Sequence, residues 1–235
     1  MTRPPAQLNA YWGQTHKPLA NLAFIVPLLL VYEAGVALIG TDLLSRSHIH
    51  AFLAKFDAGA EYFSALLIVV VLVAQQFAGK HPWRLRPATP AIMALEAAVL
   101  AVPLLSLGLL LGHHSGAIAG GWPRSELARD LLSCVGAGIY EEFLFRLAWL
   151  AAAALLLVDL LNVPKDAAVA VAVFTSAAAF ALYHFVGAGA ILWGRFAFLL
   201  LAGAYLAGVY LLRGYGVAVG VHVAYNMMVL ALRGA

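Results

Sequence analysis

Charged side chains are scarce in this 235-residue chain: Asp, Glu, Lys and Arg together make up 11% of it, whereas 64% of the residues are hydrophobic. Soluble domains carry roughly a quarter charged residues, so the composition excludes an ordinary soluble domain. The mean hydropathy is +0.92. We therefore predict an all-α, polytopic membrane helical bundle, because a backbone in lipid must satisfy its own hydrogen bonds.

Cysteine is nearly absent as well. Cys134 stands alone in the sequence, which excludes an intrachain disulfide. Basic residues are few and scattered, and their densest run extends from Lys80 to Arg86. This distribution offers no patch for a nucleic acid, and we expect none as a partner. The net charge of +3 fits a chain whose lysines and arginines lie in loops that face a membrane surface.

The apolar runs are spaced too closely for separate soluble domains. Residues 1–18 are polar and are predicted to form an N-terminal leader outside the membrane. A single transmembrane domain is predicted over residues 19–235, with N-terminal spans at 19–112 and a second group of spans at 125–232. We expect about seven to eight transmembrane helices and a location in the cell (inner) membrane, with the lipid bilayer as a partner.

Seven apolar stretches are long enough to be considered as spans. They cover approximately residues 19–40, 59–78, 91–112, 125–161, 167–186, 195–212 and 217–232. The fourth is too long for one perpendicular crossing, since about 20 residues span the hydrocarbon. We expect there either a long tilted helix or a break just after residue 142.

Three charged residues lie close together in the middle of the long apolar run from Leu131 to Leu161, which otherwise carries a charge only at Asp159, near its end. A charge near the bilayer centre costs at least about 2.5–3.5 kcal/mol, so Glu141, Glu142 and Arg146 require a reason. On a helix, Glu142 and Arg146 share a face and can pair. Glu141 points about 100° away from them. We therefore predict a supporting role for the pair and a chemical role for Glu141.

Two later spans add polar side chains that suit hydrolysis of an amide. His184 lies near the end of the fifth predicted span, and His222 and Asn226 share a helix face in the seventh. A desolvated carboxylate is a competent general base for water, and His184 could share that water or hold Glu141 in place. His222 and Asn226 could donate hydrogen bonds to the oxyanion.

The two imidazoles lie near the ends of different predicted spans. If the last three spans cross the membrane simply, His184 and His222 lie at opposite faces and cannot share a site. The glycines in residues 213–220 are typical of an irregular segment that dips into the membrane, which is tolerated where it lines a cavity. We expect that this stretch re-enters the membrane or that the sixth span is steeply tilted.

These residues form three motifs in order on successive predicted helices. The motifs are Glu141-Glu142-x-x-x-Arg146, Phe180-x-x-x-His184 and His222-x-x-x-Asn226. Together they resemble the signature of the CAAX protease and bacteriocin-processing family (CPBP, or Abi), and the likeness covers roughly residues 127–232.

The resemblance implies a glutamic-type intramembrane endopeptidase. It implies Glu141 and His184 as the pair that activates water, and His222 and Asn226 as the oxyanion hole. The implied substrate is a membrane-anchored protein or peptide, processed at a CAAX sequence, a leader or a C-terminal sorting tag. No cofactor and no metal are predicted.

Other interpretations of the same residues stay open. Glu141, His184 and His222 would also make a His-His-carboxylate zinc triad, although no His-Glu-x-x-His sequence occurs. A catalytically inactive relative could keep the motifs and act as an immunity or scaffold protein. A transporter with Glu141 as its proton site is disfavoured, since no inverted repeats are obvious. The carboxylates Glu33 and Glu96 are expected to serve packing or an interface, although Glu33 could line the substrate path.

Overall fold

The computed structural model describes residues 6–39, 63–111, 124–186 and 190–234, and these residues form eight helices and no strand. The helices are α1 (Ala6–Thr15), α2 (Pro18–Ile39), α3 (Phe63–Ala78), α4 (Ala88–Leu110), α5 (residues 124–160), α6 (Lys165–Tyr183), α7 (Trp193–Arg213) and α8 (Tyr215–Gly234). The prediction of an all-α fold is confirmed.

Six helices are long and apolar enough to cross a membrane. They are α2, α4, the part Leu127–Leu160 of α5, α6, α7 and the part Tyr215–Leu232 of α8. α3 is apolar but shorter, and residues 59–62 of the span predicted there lie outside the described residues. Helices suit this environment because each one satisfies its own backbone hydrogen bonds without water.

α5 runs without a break from residue 124 to residue 160. Of the two expectations for this stretch, the long helix is therefore found and the break is not. Its α-helical part, Arg124–Glu142, passes directly into a π-helical turn at Phe143–Ala148. A second π-helical segment, Leu155–Leu160, forms its end. The helix therefore changes type at the residue where a break was expected. Such π turns are rare in proteins overall, but those that occur are frequently found at functional sites.

α8 is the most buried of the spans: 61% of its apolar window lies inside the protein, against 28–39% for the others. It packs against α2, α4, α5 and α7. Glycine permits the close approach, since a Cβ at Gly220 would come within 2.7 Å of the Ala97 Cβ in α4. The Gly216 N–H donates to the Asn21 Oδ1 in α2 at 2.7 Å. The side chains of α8 consequently lie at the centre of the bundle.

A single residue, Gly214, joins α7 to α8, and its φ of +88° lies in the region that favours glycine. A Cβ there would also come within 2.6 Å of the Thr15 carbonyl oxygen. Residues 215–220 are helical, so the irregular backbone expected over 213–220 is not found there, while the other expectation, a steep tilt of the sixth predicted span, stays a prediction. The glycines of that stretch serve the close packing of α8 and the sharp turn before it.

α1 lies over the turn between α7 and α8 and is attached there by polar contacts. The Arg213 Nε donates to the Glu96 Oε1 at 2.5 Å, and the Tyr11 hydroxyl donates to the Glu96 Oε2. The Arg213 guanidinium also lies 5.4 Å from the centre of the Tyr11 ring. The Thr89 hydroxyl in α4 donates to the Gln14 Oε1 in α1 at 2.6 Å. Glu96 thus connects α1, α4 and α7.

Candidate active site

Glu142 forms the ion pair with Arg146 that their spacing predicts. The Glu142 Oε2 lies 3.1 Å from the Arg146 Nε, and both side chains are completely buried. The Arg146 Nη2 donates to the Gly203 carbonyl in α7 at 3.1 Å, and the guanidinium lies 4.5 Å from the centre of the Phe180 ring in α6. A buried arginine requires such partners, because removing a charge from water is costly. The contacts hold α5, α6 and α7 together.

His222, from α8, binds the other oxygen of Glu142, and its Nδ1 lies 2.8 Å from the Glu142 Oε1. An ionised carboxylate can only accept, so Nδ1 carries the proton and donates it. In the neutral ring Nε2 is then an acceptor, and it becomes a donor only in the imidazolium form. The protonation state of His222 therefore decides what its free nitrogen can do.

His184 directly follows α6, and a backbone carbonyl orients its ring. Its Nδ1 lies 2.8 Å from the Phe180 carbonyl oxygen, which can only accept, so Nδ1 carries the proton. The Nε2 of the neutral ring is then an acceptor. The Phe180 ring lies beside both imidazoles, with its centre 4.6 Å from that of His184 and 6.0 Å from that of His222.

Glu141 faces both imidazoles with one carboxylate oxygen. Its Oε2 lies 3.7 Å from the His184 Nε2 and 3.8 Å from the His222 Nε2. Both distances are longer than a hydrogen bond, and Oε2 has no hydrogen-bond partner among the described residues. Buried acceptors usually have a partner, and this spacing suits a water molecule between the groups. About one-seventh of the Glu141 side chain, 14%, remains exposed.

Asn226 lies one helical turn after His222 on α8, about 6 Å along the helix axis. It is half-buried, whereas His222 is 5% exposed. Of the residues predicted for the site, His184 and His222 each bring Nε2 within 4 Å of the Glu141 Oε2. Asn226 stays a predicted site residue, placed only by its position on the same helix.

Two supporting residues were missed by the sequence interpretation. Gly203 supplies the carbonyl that Arg146 binds, and it lets α7 approach α6, since a Cβ would come within 2.9 Å of the Ala177 Cα. The Tyr215 hydroxyl donates to the Ile139 carbonyl at 2.9 Å and holds the start of α8 against α5. Glycine and tyrosine are common in membrane helices, so neither residue carries a signal of its role in the sequence.

Glu33 also contacts the site region. It accepts a hydrogen bond from the hydroxyl of Tyr140, the residue that precedes Glu141. The Tyr140 ring packs against Tyr32, with 5.5 Å between the ring centres. Glu33 thus attaches α2 to α5 next to the Glu-Glu pair, a role that fits the expected packing function.

The alternative zinc triad would consist of Glu141, His184 and His222. Within the parts of the chain that the structure describes, no group of three or more His, Cys, Asp or Glu side chains has the arrangement of a metal site.

Residues 123–228 match the family described as type II CAAX prenyl endopeptidase, Rce1-like. This segment is similar to the Rce1-like family. The resemblance to CPBP proteases is thereby confirmed, and all of the predicted site residues lie inside the matched Rce1-like segment. No curated protein and no solved structure matches the chain. The Rce1-like segment and the six candidate spans together support an integral membrane protease.

Proposed function

We propose that the protein is an intramembrane endopeptidase that hydrolyses a peptide bond with a water molecule activated by Glu141. One observation carries the proposal: the Glu141 Oε2 lies 3.7 Å from the His184 Nε2 and 3.8 Å from the His222 Nε2, without a hydrogen bond of its own among the described residues. The family description favours a membrane-associated, prenylated protein with a C-terminal CAAX sequence as substrate.

In this proposal the water lies between Glu141 and His184. Both hydrogens of the water meet acceptors, because the His184 Nδ1 donates to Phe180 and leaves Nε2 with a free lone pair. Glu141 takes one proton as the water oxygen attacks the carbonyl carbon of the scissile bond. Glu141 then gives this proton to the leaving amine nitrogen, and the carboxylate is restored when the C–N bond breaks.

His222 and Asn226 stabilise the oxyanion of the tetrahedral intermediate. The Asn226 amide is a donor at any pH. His222 donates from Nε2 only as an imidazolium, because its Nδ1 is bound to Glu142. The Glu142 carboxylate supports the charged ring through a charge-assisted hydrogen bond. Glu142 and Arg146 therefore act as positioning residues, and Arg146 connects this pair to α7.

The test is cleavage of a prenylated peptide that ends in a CAAX sequence, by the purified protein in liposomes, with the released C-terminal fragment detected by mass spectrometry. We expect Glu141→Gln and His184→Ala each to lower kcat by about 10²–10⁴-fold, the range for loss of acid–base catalysis. Both variants should accumulate in the membrane at wild-type levels. Asp159→Asn is the matched control, because it makes the same change at an exposed position of α5.

Each alternative interpretation has its own outcome. Wild-type function of the Glu141→Gln variant in a cellular assay would favour a scaffold or immunity protein. Loss of cleavage in a strong chelator, with recovery on addition of zinc, would favour the zinc triad. If only the choice of peptide is wrong, mass spectrometry of protein C-termini in membranes with and without Glu141 will show which proteins accumulate uncut.

A further inference from the structure

The backbone carbonyl of Phe145 in α5 accepts a hydrogen bond from a different helix. In an α-helix it would accept the N–H of Trp149, but that N–H is directed to the carbonyls of Leu144 and Arg146. The Phe145 carbonyl accepts instead from the Ser176 hydroxyl of α6 at 2.5 Å. Ser176 is completely buried. Its hydroxyl therefore binds one specific carbonyl in the π turn that follows Glu142.

We propose that Ser176 is a positioning residue for the active site. Its hydroxyl holds the Phe145 carbonyl away from the α-helical hydrogen-bond pattern and so stabilises the π turn Phe143–Ala148. The inference about activity rests on the proposed function, whereas the inference about the turn does not.

The π turn determines how Arg146 lies relative to Glu142. A π turn contains about one residue more than an α turn, so conversion to an α-helix would rotate the following residues by about 100° relative to the preceding ones. Arg146 would still face Glu142, four residues before it, but it would be drawn away from the Gly203 carbonyl, which it contacts at 3.1 Å, and the ion pair with Glu142 would no longer be fixed from α7. Because Glu142 also binds the His222 Nδ1, the change would reach an imidazole of the site.

Trp149 reports on the turn independently of catalysis. It directly follows the π turn, and its indole Nε1 donates to the Thr175 hydroxyl at 3.2 Å. Thr175 is the neighbour of Ser176 on α6. A rotation of the residues after the turn would therefore break this contact and change the surroundings of the indole ring.

The kinetic test compares Ser176→Ala with Ser106→Ala, using the prenylated CAAX peptide. Ser106 in α4 is the matched control, since its hydroxyl donates to Val102 of its own helix at 2.9 Å. We expect Ser176→Ala to lower kcat by about 10–100-fold, as misplaced catalytic groups do, with KM within about twofold. Ser106→Ala should change neither constant.

A double-mutant cycle separates positioning from general loss of stability. If Ser176 acts through Arg146, the Ser176→Ala substitution should cost no more than about twofold in kcat in an Arg146→Gln background. An equal loss of kcat in both backgrounds would overturn the positioning role. If Ser176→Ala does not accumulate, Ser176→Cys takes its place: it retains only a weak donor and should lower kcat by at least about twofold, and an unaltered kcat would overturn the positioning role.

The turn itself is tested by the fluorescence of Trp149 in a protein whose other four tryptophans are replaced by phenylalanine. We expect Ser176→Ala to shift the emission of Trp149 and Ser106→Ala to leave it unchanged. Unchanged emission in Ser176→Ala would overturn the proposal, and so would changed emission with an unaltered kcat. An inactive wild-type protein whose emission responds to Ser176→Ala would overturn the proposed function and support the effect on the turn.

Discussion

Glu141 and Glu142 are neighbours in the chain, yet their surroundings differ in every respect that matters for chemistry. Glu142 is completely buried, with Arg146 at one oxygen and His222 at the other. Glu141 is partly exposed and faces two ring nitrogens across gaps of nearly 4 Å. A charge partner on each oxygen suits the structural role of Glu142. An oxygen without a hydrogen bond, close to the acceptor Nε2 of His184, suits the role of a base for Glu141.

The two carboxylates should therefore separate stability from activity. Glu142→Gln leaves the buried Arg146 without its counter-charge, and we expect it to lower the free energy of unfolding by about 3–5 kcal/mol. Glu141→Gln removes only the two longer contacts with imidazoles, at 3.7 and 3.8 Å, and should change stability by less than about 1 kcal/mol. Thermal unfolding of both variants in the same detergent measures the difference. Equal destabilisation by the two substitutions would contradict this division of roles.

At the scale of the helices, the site depends on close contact between α6 and α7. Gly203 places its carbonyl within reach of Arg146 because no side chain separates it from Ala177. The position of Arg146 thus depends both on the π turn of α5 and on the close packing of α7 on α6. Neither feature shows in a hydropathy pattern, since a membrane helix is apolar on all sides.

A glycine pair on α7 tests this contact. The Cβ introduced by Gly203→Ala would come within 2.9 Å of the Ala177 Cα, and backbone can move only at a cost. We expect a loss of about 1–3 kcal/mol in the free energy of unfolding, as for other overpacked sites, together with lower activity.

Gly208→Ala is the control on the same helix, because nothing lies within 4 Å of the new Cβ. It should raise stability by up to about 1 kcal/mol, since alanine favours a helix over glycine. Thermal unfolding and peptide cleavage are measured on both variants. A destabilising Gly208→Ala, or a neutral Gly203→Ala, would contradict the importance of the α6–α7 contact.

At the scale of the whole molecule, the turn between α7 and α8 lies inside the bundle and not at the level where α4 begins. Gly220 packs beside Ala97 and Gly216 beside Met93, so α8 begins about one helical turn deeper than α4 does. α1 covers the turn, with the Thr15 carbonyl directly against Gly214. This depth helps His222, two turns into α8, to reach the level of Glu141.

Glu96 should hold α1 over that turn. Burial and the Glu96 carboxylate both raise the pKa of Tyr11, so its hydroxyl stays protonated and donates over the working pH range. We expect Glu96→Gln to weaken the contacts of α1 with Arg213 and to speed proteolysis of the N-terminal residues by at least several-fold. Tyr11→Phe, which removes one hydrogen bond and keeps the ion pair of Glu96 with Arg213, should have a smaller effect. Equal proteolysis of wild type and Glu96→Gln would show that α1 is held by other contacts.

The sequence by itself determined the membrane class, most of the helices and the ion pair of Glu142 with Arg146. These properties depend on local quantities, namely the hydropathy of 20-residue windows and the four-residue spacing on a helix. The sequence also indicated, through the order of three motifs, the family that the segment 123–228 matches. The sequence indicated that the helix of α5 could be interrupted just after Glu142. It did not indicate a π turn, because a π turn depends on a partner such as Ser176 in another helix.

Only the tertiary structure decided that His184 and His222 approach the same oxygen of Glu141. Hydropathy placed these residues near opposite ends of different spans and suggested an irregular re-entrant segment to join them. The protein instead uses a regular helix that begins at a recessed turn, made possible by the positive φ of Gly214 and by glycines that let α8 pack closely. The depth of a helix in a bundle is a property of its neighbours, and one chain's hydropathy does not contain it.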